Sequence, residues 1–390
     1  MAEWIECKIS DLGTVVGGAT PSTKKVEYYE GGNIAWITPK DLSTFSGRYI
    51  QRGERNITEI GLKSCSTQLL PENTVLFSSR APIGYVAIAA NEVCTNQGFK
   101  SVIPNEATDP LFLFYLLKHN KDKIETMGSG TTFKEVSGNT MKNIIVRVPS
   151  DKGVQKNIAS ILGTLDDKIE ENVRINNNLE QQAKALYKDW FFDFTPFSTV
   201  GNLPDGWRLG TVSDIIQFHD SKRVPLSGAE RDKMAKIYPY YGATSLMDYV
   251  DNYLFDGIYL LLGEDGTVVD SLGFPILQYV YGQFWVNNHA HIITGKEGFS
   301  VEELYLFFSL TNIKSIVTGA VQQKVSQQNL KKVPAIIPSK DALSAFDELI
   351  QPIFSQIRNL RDENASLADL RDTLLPKLIS GELDVSDIDL

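Results

Sequence analysis

The sequence contains little cysteine and histidine and no long apolar run. Its 390 residues include three cysteines and four histidines. Cys7, Cys65 and Cys94 are odd in number and widely spaced, which argues against a disulfide framework and against a cysteine-based zinc site. No apolar run approaches the roughly 20 residues that cross a bilayer, and residues 1–15 lack the pattern of a signal peptide. We therefore expect a cytoplasmic protein without membrane contact.

The motifs of common enzyme classes are also missing. The chain has no Pro-Pro pair, which excludes the Asn/Asp-Pro-Pro-aromatic run of adenine methyltransferases, and no Gly-rich loop ending in Gly-Lys-Ser/Thr. The glycine pair Gly128 and Gly130 lacks the rest of a nucleotide-binding fingerprint. His289 and His291 lie on one face of a predicted strand, but no third metal ligand is evident. We therefore expect no catalytic, cofactor or metal site, and favour a role in folding or base contact for the histidines.

A repeating apolar pattern dominates residues 155–194. Its members follow one another at alternating steps of three and four residues, the spacing of a coiled-coil seam on one helix. The seam comprises Leu162, Leu165, Ile169, Asn172, Asn176, Leu179, Ala183, Leu186 and Trp190. The pattern predicts a long central helix within residues 151–194.

A second helix of the same kind is predicted over residues 346–378. Its seam comprises Ile350, Ile353, Ile357, Leu360, Asn364, Leu367, Arg371 and Leu374. The two seams align without a gap, and Asn176 coincides with Asn364. The chain therefore consists of two copies of one plan, each a globular segment followed by a long helix.

The globular segments resemble each other at their ends. Trp4 and Trp207 open similar stretches, and the closing segments 130–149 and 319–338 align without a gap. Short apolar runs bounded by Gly, Pro or Asn predict strands, so each segment is expected to be a mixed α+β domain. The predicted domains are a first domain at 1–150, the central helix at 151–194, a second domain at 195–339 with a linker at 195–204, and a C-terminal helix with an acidic tail at 340–390.

The position of the second domain between the two helices predicts how they pack. If the ends of that domain lie close together, the helices run antiparallel and form an intramolecular coiled coil. At about 1.5 Å per residue, this pair would separate the two domains by about 50 Å. Two interpretations of the seam asparagines stay open: they face solvent at an imperfect seam, or Asn176 and Asn364 form a hydrogen bond that fixes the register.

Four aromatic residues, Trp190, Phe191, Phe192 and Phe194, cluster at the end of the central helix. They could pack under the second domain or receive a partner protein. The second helix lacks an equivalent cluster, so packing is the favoured interpretation.

The net charge of -10 is unevenly distributed. The acidic excess is concentrated in residues 340–390, whereas the globular segments are near neutral. Contact with nucleic acid would therefore depend on local basic loops, or on a partner that supplies phosphate contacts.

Several stretches resemble type I restriction-modification specificity subunits. They are Leu-Pro-Asp-Gly-Trp at 203–207, Ile-Ala-Ser-Ile-Leu at 158–162 with Asp-Asp-Lys-Ile-Glu at 166–170, and above all Leu-Pro-Lys-Leu-Ile-Ser-Gly-Glu-Leu at 375–383. The likeness covers essentially the whole chain. It implies two target recognition domains that each recognise half of a split DNA sequence, and two helices that dock two modification (methyltransferase) subunits.

The resemblance also implies the remaining partners and cofactors. Partner methyltransferases would use S-adenosylmethionine on adenine, restriction-translocase subunits would use ATP and Mg, and this chain would bind no cofactor. Because the middles of the domains differ, the double-stranded DNA target is expected to be bipartite and asymmetric, with half-site centres about 10 base pairs apart. The alternatives are a structural spacer that holds two protein-binding domains apart, and a self-sufficient enzyme, which the missing motifs disfavour.

Loops rich in Lys, Arg, Asn, Gln and Thr are the candidate DNA contacts. Arg can pair with guanine and Asn or Gln with adenine, each worth about 1–3 kcal/mol of discrimination, and a carboxylate can accept from the cytosine amino group. For each residue, a solvated loop side chain is the alternative. The candidates in the first domain are Lys24, Lys25, Thr38, Lys40, Arg80, Asn96, Gln97, Thr132 and Lys134. Those in the second are Lys222, Arg223, Tyr241, Glu264, Asp265, Asn288, His289, Gln323 and Lys324.

Overall fold

A computed structural model describes residues 3–130, 134–197, 202–319 and 322–386. The chain divides into two compact units, Met1–Asn172 with Asp362–Leu390, and Val173–Arg361. Each unit contains one globular domain and half of each long helix. No helix in the described ranges is both long enough and apolar enough to cross a membrane.

Over its described residues, the first unit is a mixed α+β domain with three small sheets. Antiparallel strands β1 and β10 form the first sheet, five strands in the order β2-β9-β6-β7-β4 form the second, and β5-β3-β8 form the third. The strands are β1 Trp4–Lys8, β2 Gly13–Gly17, β3 Ile34–Ile37, β4 Tyr49–Ile50, β5 Arg55–Ile57, β6 Val75–Ser79, β7 Ile83–Ala89, β8 Cys94–Thr95, β9 Lys100–Pro104 and β10 Ile145–Pro149. The helices are α1 Ile9–Leu12, α2 Pro39–Ser43, α3 Glu59–Lys63, α4 Pro110–His119, α5 Lys121–Thr126, α6 Gly138–Asn143 and α7 Lys152–Phe191, which continues into the second unit.

The second unit repeats this plan with a larger central sheet. Strands β11 and β20 pair antiparallel, as β1 and β10 do, and six strands form a sheet in the order β12-β18-β15-β17-β13-β14. The strands are β11 Arg208–Thr211, β12 Ile216–Phe218, β13 Tyr238–Tyr241, β14 Leu246–Val250, β15 Phe255–Gly263, β16 Asp265–Gly266, β17 Leu277–Val286, β18 Ala290–Gly295, β19 Gln323–Lys324 and β20 Pro334–Ile337. The helices are α8 Val212–Ile215, α9 Gly228–Arg231, α10 Val301–Leu310, α11 Gln327–Leu330 and α12 Lys340–Ser380, which ends in the first unit.

The helix pair of the first unit is antiparallel. Asn172 of α7 donates a hydrogen bond to Asn364 of α12 at 2.9 Å, and Arg371 donates to Asp166 at 2.6 Å. Residue numbers therefore rise along one helix as they fall along the other. Leu162 lies in the same apolar core as residues from the end of α12, so the predicted seam is the buried face.

The register contact differs from the one expected for Asn364. This side chain accepts from Asn172 and donates to the Ile169 carbonyl at 3.3 Å, so its partners lie inside the first unit. Asn176, the predicted partner, belongs to the second unit. The residue opposite Asn364 is set by where two antiparallel helices meet, and the alignment of the two seams does not reveal that position.

The helix pair of the second unit is held by aromatic residues. The rings of Tyr187, Trp190 and Phe191, near the end of α7, lie 5.6, 5.4 and 4.8 Å from the ring of Phe346 near the start of α12. Phe191 also lies 5.6 Å from Trp207, at the entrance to the second domain. The aromatic cluster thus packs within its own unit, as the sequence favoured, with Phe192 left 46% exposed.

Candidate nucleic-acid interface

Three loops of the first domain meet at one corner. The Ser79 N–H, at the end of β6, donates to the Gly98 carbonyl at 2.7 Å, and the Val136 N–H donates to the Ser79 carbonyl at 3.0 Å. The Asn96 side chain accepts a hydrogen bond from the Gly98 N–H at 2.8 Å and so closes the turn at residues 96–98. We call residues 79–80, 96–98 and 135–136 the first corner.

Several of the predicted DNA contacts lie in or beside the first corner. One surface depression is lined by Arg80 and Asn96 of the corner and by Thr38 and Lys40 at the start of α2. The Arg80 guanidinium lies 3.5 Å from the Glu135 carboxylate, on the neighbouring segment. Most of the depression's surface is apolar, and the Arg80 guanidinium and the Lys40 amine are its cationic groups.

The other candidates of the first domain lie around this corner or apart from it. Gln97 is exposed next to Asn96 and contacts the Thr20 hydroxyl, and Lys134 is exposed beside Glu135. Lys24 and Lys25 are exposed on a separate turn, where the Lys25 amine lies 2.9 Å from the Tyr28 hydroxyl. Thr132 falls outside the described residues.

The second domain builds a corner with the same backbone hydrogen bonds. The Glu264 N–H donates to the His289 carbonyl at 2.8 Å, and the Val325 N–H donates to the Glu264 carbonyl at 2.8 Å. The Asn287 side chain accepts from the His289 N–H, also at 2.8 Å. We call residues 264–265, 287–289 and 324–325 the second corner.

Further backbone bonds extend the correspondence between the corners. Ser129 and Glu135 exchange two hydrogen bonds at 3.0 and 2.9 Å, and Thr318 and Lys324 exchange two at 2.9 and 2.7 Å. Arg80 forms a β-bridge with Glu135, and Asp265 pairs with Lys324. Arg80 and Asp265 therefore occupy equivalent positions, and so do Glu135 and Lys324, with the charges reversed.

A network of charged groups supports the second corner from inside. The Glu264 carboxylate lies 2.7 Å from Arg223, 3.5 Å from Lys324 and 3.7 Å from His291. Arg223 also donates to the Ala290 carbonyl at 2.8 Å and is only 15% exposed. Both Arg223 and Glu264 thus have internal partners that tie loops together, and their predicted contact with DNA stays a prediction.

His291 has the acidic neighbours that the sequence did not reveal. Asp220, Glu264 and His291 place possible metal-ligand atoms within 4.8 Å of one another. However, Nδ1 of His291 lies 2.7 Å from Asp220 and Nε2 lies 2.8 Å from the Val325 carbonyl oxygen, so both ring nitrogens are engaged. The Arg223 guanidinium already supplies the positive charge beside Asp220 and Glu264. The donor set therefore suits an internal salt-bridge network better than a bound cation.

The pKa of Asp220 is consistent with an ionised member of this network. Burial acts to raise the pKa of the Asp220 carboxyl, but hydrogen bonds from His291, the Ile292 N–H and Gln327 outweigh burial and lower it. The carboxylate thus stays charged and connects strand β18 to helix α11.

The remaining candidates of the second domain differ in exposure. Nδ1 of His289 is hydrogen-bonded to Oδ1 of Asp265 at 2.6 Å. Lys222 and Gln323 are exposed, whereas Tyr241 is half-buried with its ring 5.9 Å from that of Phe284. Asn288 is exposed, and its carbonyl oxygen accepts from Arg223 at 3.3 Å.

Sequence reasoning missed three charged residues in or next to the corners, namely Glu135, Lys100 and Asp220. Lys100 lies 3.3 Å from Glu135, and Asp220 contacts His291. Glu135 could have been found, because the gapless alignment of the closing segments pairs it with Lys324. Asp220 and Lys100 carry no comparable signal, since only folding brings them to the corners.

Each of the two units thus combines a mixed α+β domain, a corner built on one pattern of backbone hydrogen bonds, and half of each long helix. The family model for the type I restriction modification DNA specificity domain matches residues 1–181 and 204–368. The chain therefore belongs to the family of type I restriction-modification specificity subunits.

Individual relatives cover nearly the whole chain. The type I restriction enzyme MjaIX specificity subunit of Methanocaldococcus jannaschii is 35% identical over 99% of this chain and 95% of its own length. The EcoprrI specificity subunit of Escherichia coli is 23% identical, over 90% of this chain and 89% of its own. The crystal structure of a type I system S subunit from M. genitalium shares the fold, with a TM-score of 0.58, 18% identity, and coverage of 97% and 96%.

Proposed function

We propose that this chain recognises an asymmetric, bipartite DNA sequence on behalf of a type I restriction-modification complex. The observation that carries the proposal is the pair of corners, which share one pattern of backbone hydrogen bonds and differ in side chains. Two related surfaces with different chemistry are suited to two different half-sites on one duplex.

In this proposal the chain is noncatalytic and works through partners. The helix pair docks two adenine methyltransferase subunits, which bring S-adenosylmethionine, and restriction-translocase subunits with ATP and Mg join through them. The two units support this arrangement because each contributes one half of both α7 and α12. A partner present in two copies would then contact two related surfaces, one on each unit's halves of α7 and α12. The proposed location of the complex is the cytoplasm.

The proposal is tested by selecting DNA with the assembled complex. The full chain is co-purified with its methyltransferase subunits, incubated with randomised duplex DNA, and the bound fraction is sequenced. We expect two unlike half-sites with a fixed spacer and centres about 10 base pairs apart. A complex that assembles but enriches no bipartite sequence would leave the spacer function as the better explanation.

An exchange of domains tests whether each domain acts independently. Replacing residues 1–150 by the corresponding domain of a relative should change one half-site and leave the other intact. A change in both half-sites would contradict the proposed domain boundaries.

A further inference from the structure

We propose that Arg80 and Asp265 determine specificity at equivalent positions of the two corners, Arg80 by recognising guanine and Asp265 by recognising the amino group of cytosine. This inference rests on the proposed function. It goes further by assigning one base-contacting side chain to each domain.

The equivalence of the two positions comes from backbone hydrogen bonds alone. Arg80 directly follows Ser79, and Asp265 directly follows Glu264. The N–H and C=O groups of Ser79 and of Glu264 are hydrogen-bonded to the two other segments of the same corner. Arg80 and Asp265 also face equivalent cross-strand neighbours, Glu135 and Lys324. The two side chains therefore leave the same backbone frame at the same point.

Arg80 has donors that are available for a ligand. A guanidinium carries five N–H donors in a planar fork, which fits O6 and N7 of guanine. In the described ranges, its hydrogen bond is a long one of 3.5 Å from Nη1 to Glu135, and the side chain is 34% exposed. The Glu135 carboxylate therefore orients the Arg80 guanidinium without engaging all of the guanidinium's N–H donors.

Asp265 has a carboxylate oxygen, Oδ2, that is available to accept a hydrogen bond from a ligand. Its Oδ1 is hydrogen-bonded to His289, while Oδ2 has no donor within the part of the chain that the structure describes. The side chain is 21% exposed. A carboxylate is repelled by phosphate, so an acidic side chain at a DNA-facing corner is suited to a base amino group instead.

Asp265 and Glu264 differ in their ionic partners. The Glu264 carboxylate has Arg223 and Lys324 as ionic partners and is 16% exposed. Among the described residues, the Asp265 carboxylate has only His289 as an ionic partner, and that imidazole is 46% exposed at the surface. Asp265 is thus the carboxylate of the second corner that can change partner when DNA arrives, and Glu264 is a positioning residue.

The test uses conservative variants in the complete complex. Arg80→Gln and Asp265→Asn are each co-purified with the methyltransferase subunits, and randomised duplex DNA is selected as for the wild type. Arg52→Ala and Asp251→Asn, which change exposed charges elsewhere in the same domains, are the matched controls. Thermal unfolding and the subunit ratio are measured for every variant.

We expect each variant to lose discrimination at one position of one half-site. Arg80→Gln should reduce the preference for one G·C pair by about 10- to 100-fold and leave the other half-site unchanged. Asp265→Asn should do the same in the other half-site, while both controls keep the wild-type sequence.

The possible failures are distinguishable. A wild-type complex that enriches no bipartite sequence contradicts the proposed function itself. A bipartite sequence that is unchanged in both folded variants, or changed in the same half-site by both, overturns only the present inference. If a variant does not fold, Arg80→Met or Asp265→Ala takes its place. Neither side chain can make the proposed hydrogen bonds to a base, so an unchanged preference would again overturn the inference.

Discussion

Asn172 donates hydrogen bonds to Asn364 at 2.9 Å and to Glu363 at 2.8 Å, across the helix pair of the first unit. Its side chain is completely buried. A polar residue in such a seam costs stability relative to leucine but selects one register. The contact therefore fixes how far α7 is shifted along α12 in this unit.

Asn172→Ala should lower the free energy of unfolding of the first unit, because two partly buried hydrogen bonds disappear and Asn364 loses its donor. The expected loss is about 1–2 kcal/mol, measured by urea denaturation. Ser160→Ala, at an exposed position of α7 in the same unit, is the control and should be nearly neutral. Equal effects of both substitutions would show that the seam contact contributes nothing specific.

Glu303 should make the second unit less stable at alkaline pH. It is completely buried at the start of α10, and burial raises its pKa to about 8 although the Ser300 N–H favours the charged form. The folded state thus binds this proton more tightly than the unfolded state, where a glutamate has a pKa of about 4.3. The contribution of protonated Glu303 to stability is complete below the unfolded pKa of about 4.3, and it is lost as the pH rises through the folded pKa of about 8.

Glu303→Gln removes this titration and keeps the side-chain volume. Between about pH 5 and pH 9, the wild type should lose on the order of 2–4 kcal/mol more stability than the variant. Chemical denaturation across this range measures the difference. Parallel curves for the two proteins would contradict the buried-carboxyl explanation.

Arg371 should stabilise the first unit chiefly because it neutralises the buried carboxylate of Asp166. Asp166 is 5% exposed, accepts from Arg371 at 2.6 Å, and accepts from the Tyr115 hydroxyl at 2.6 Å. Arg371→Met leaves this charge without its cation, with an expected loss of about 3 kcal/mol. The double variant Asp166→Leu with Arg371→Met should recover most of that loss. Lys377→Met, at an exposed position of the same helix, serves as the control.

Gly381 ends α12 at a position that only glycine suits. Its φ is +77°, and an added Cβ would lie 2.6 Å from Cε2 of Trp4. Gly31, in the same unit, has a φ of +70° with nothing within 4 Å of the added atom. Gly31→Ala should therefore show only the conformational cost, about 1 kcal/mol, and Gly381→Ala should cost at least twice as much in thermal or urea unfolding. Equal losses would mean that the Trp4 ring moves aside without cost.

The two long helices were predictable from the sequence because their seams have a sustained period. The structure begins each helix ten residues before the first residue of its seam, at Lys152 and Lys340, soon after Pro149 and Pro338. The partner of Asn364 was not predictable, because the period identifies the buried face of each helix but not the level at which the two faces meet.

The corners were predictable only in part. Loop composition selected Arg80, Asn96, Asp265 and Lys324, which the structure brings to the two corners. Their equivalence was hidden, because the segments between the corner loops differ in length in the two domains. The hydrogen bonds that reveal it join backbone atoms, which leave no signature in residue type.

The backbone frame of the corners also has an evolutionary consequence. Its hydrogen bonds use main-chain atoms, so they persist when the side chain at position 80 or 265 is replaced. On our proposal, a single codon change in the gene could then give the complex a new target without a new fold. Lineages carrying such genes could diversify what they recognise by point mutation, one half of the target at a time.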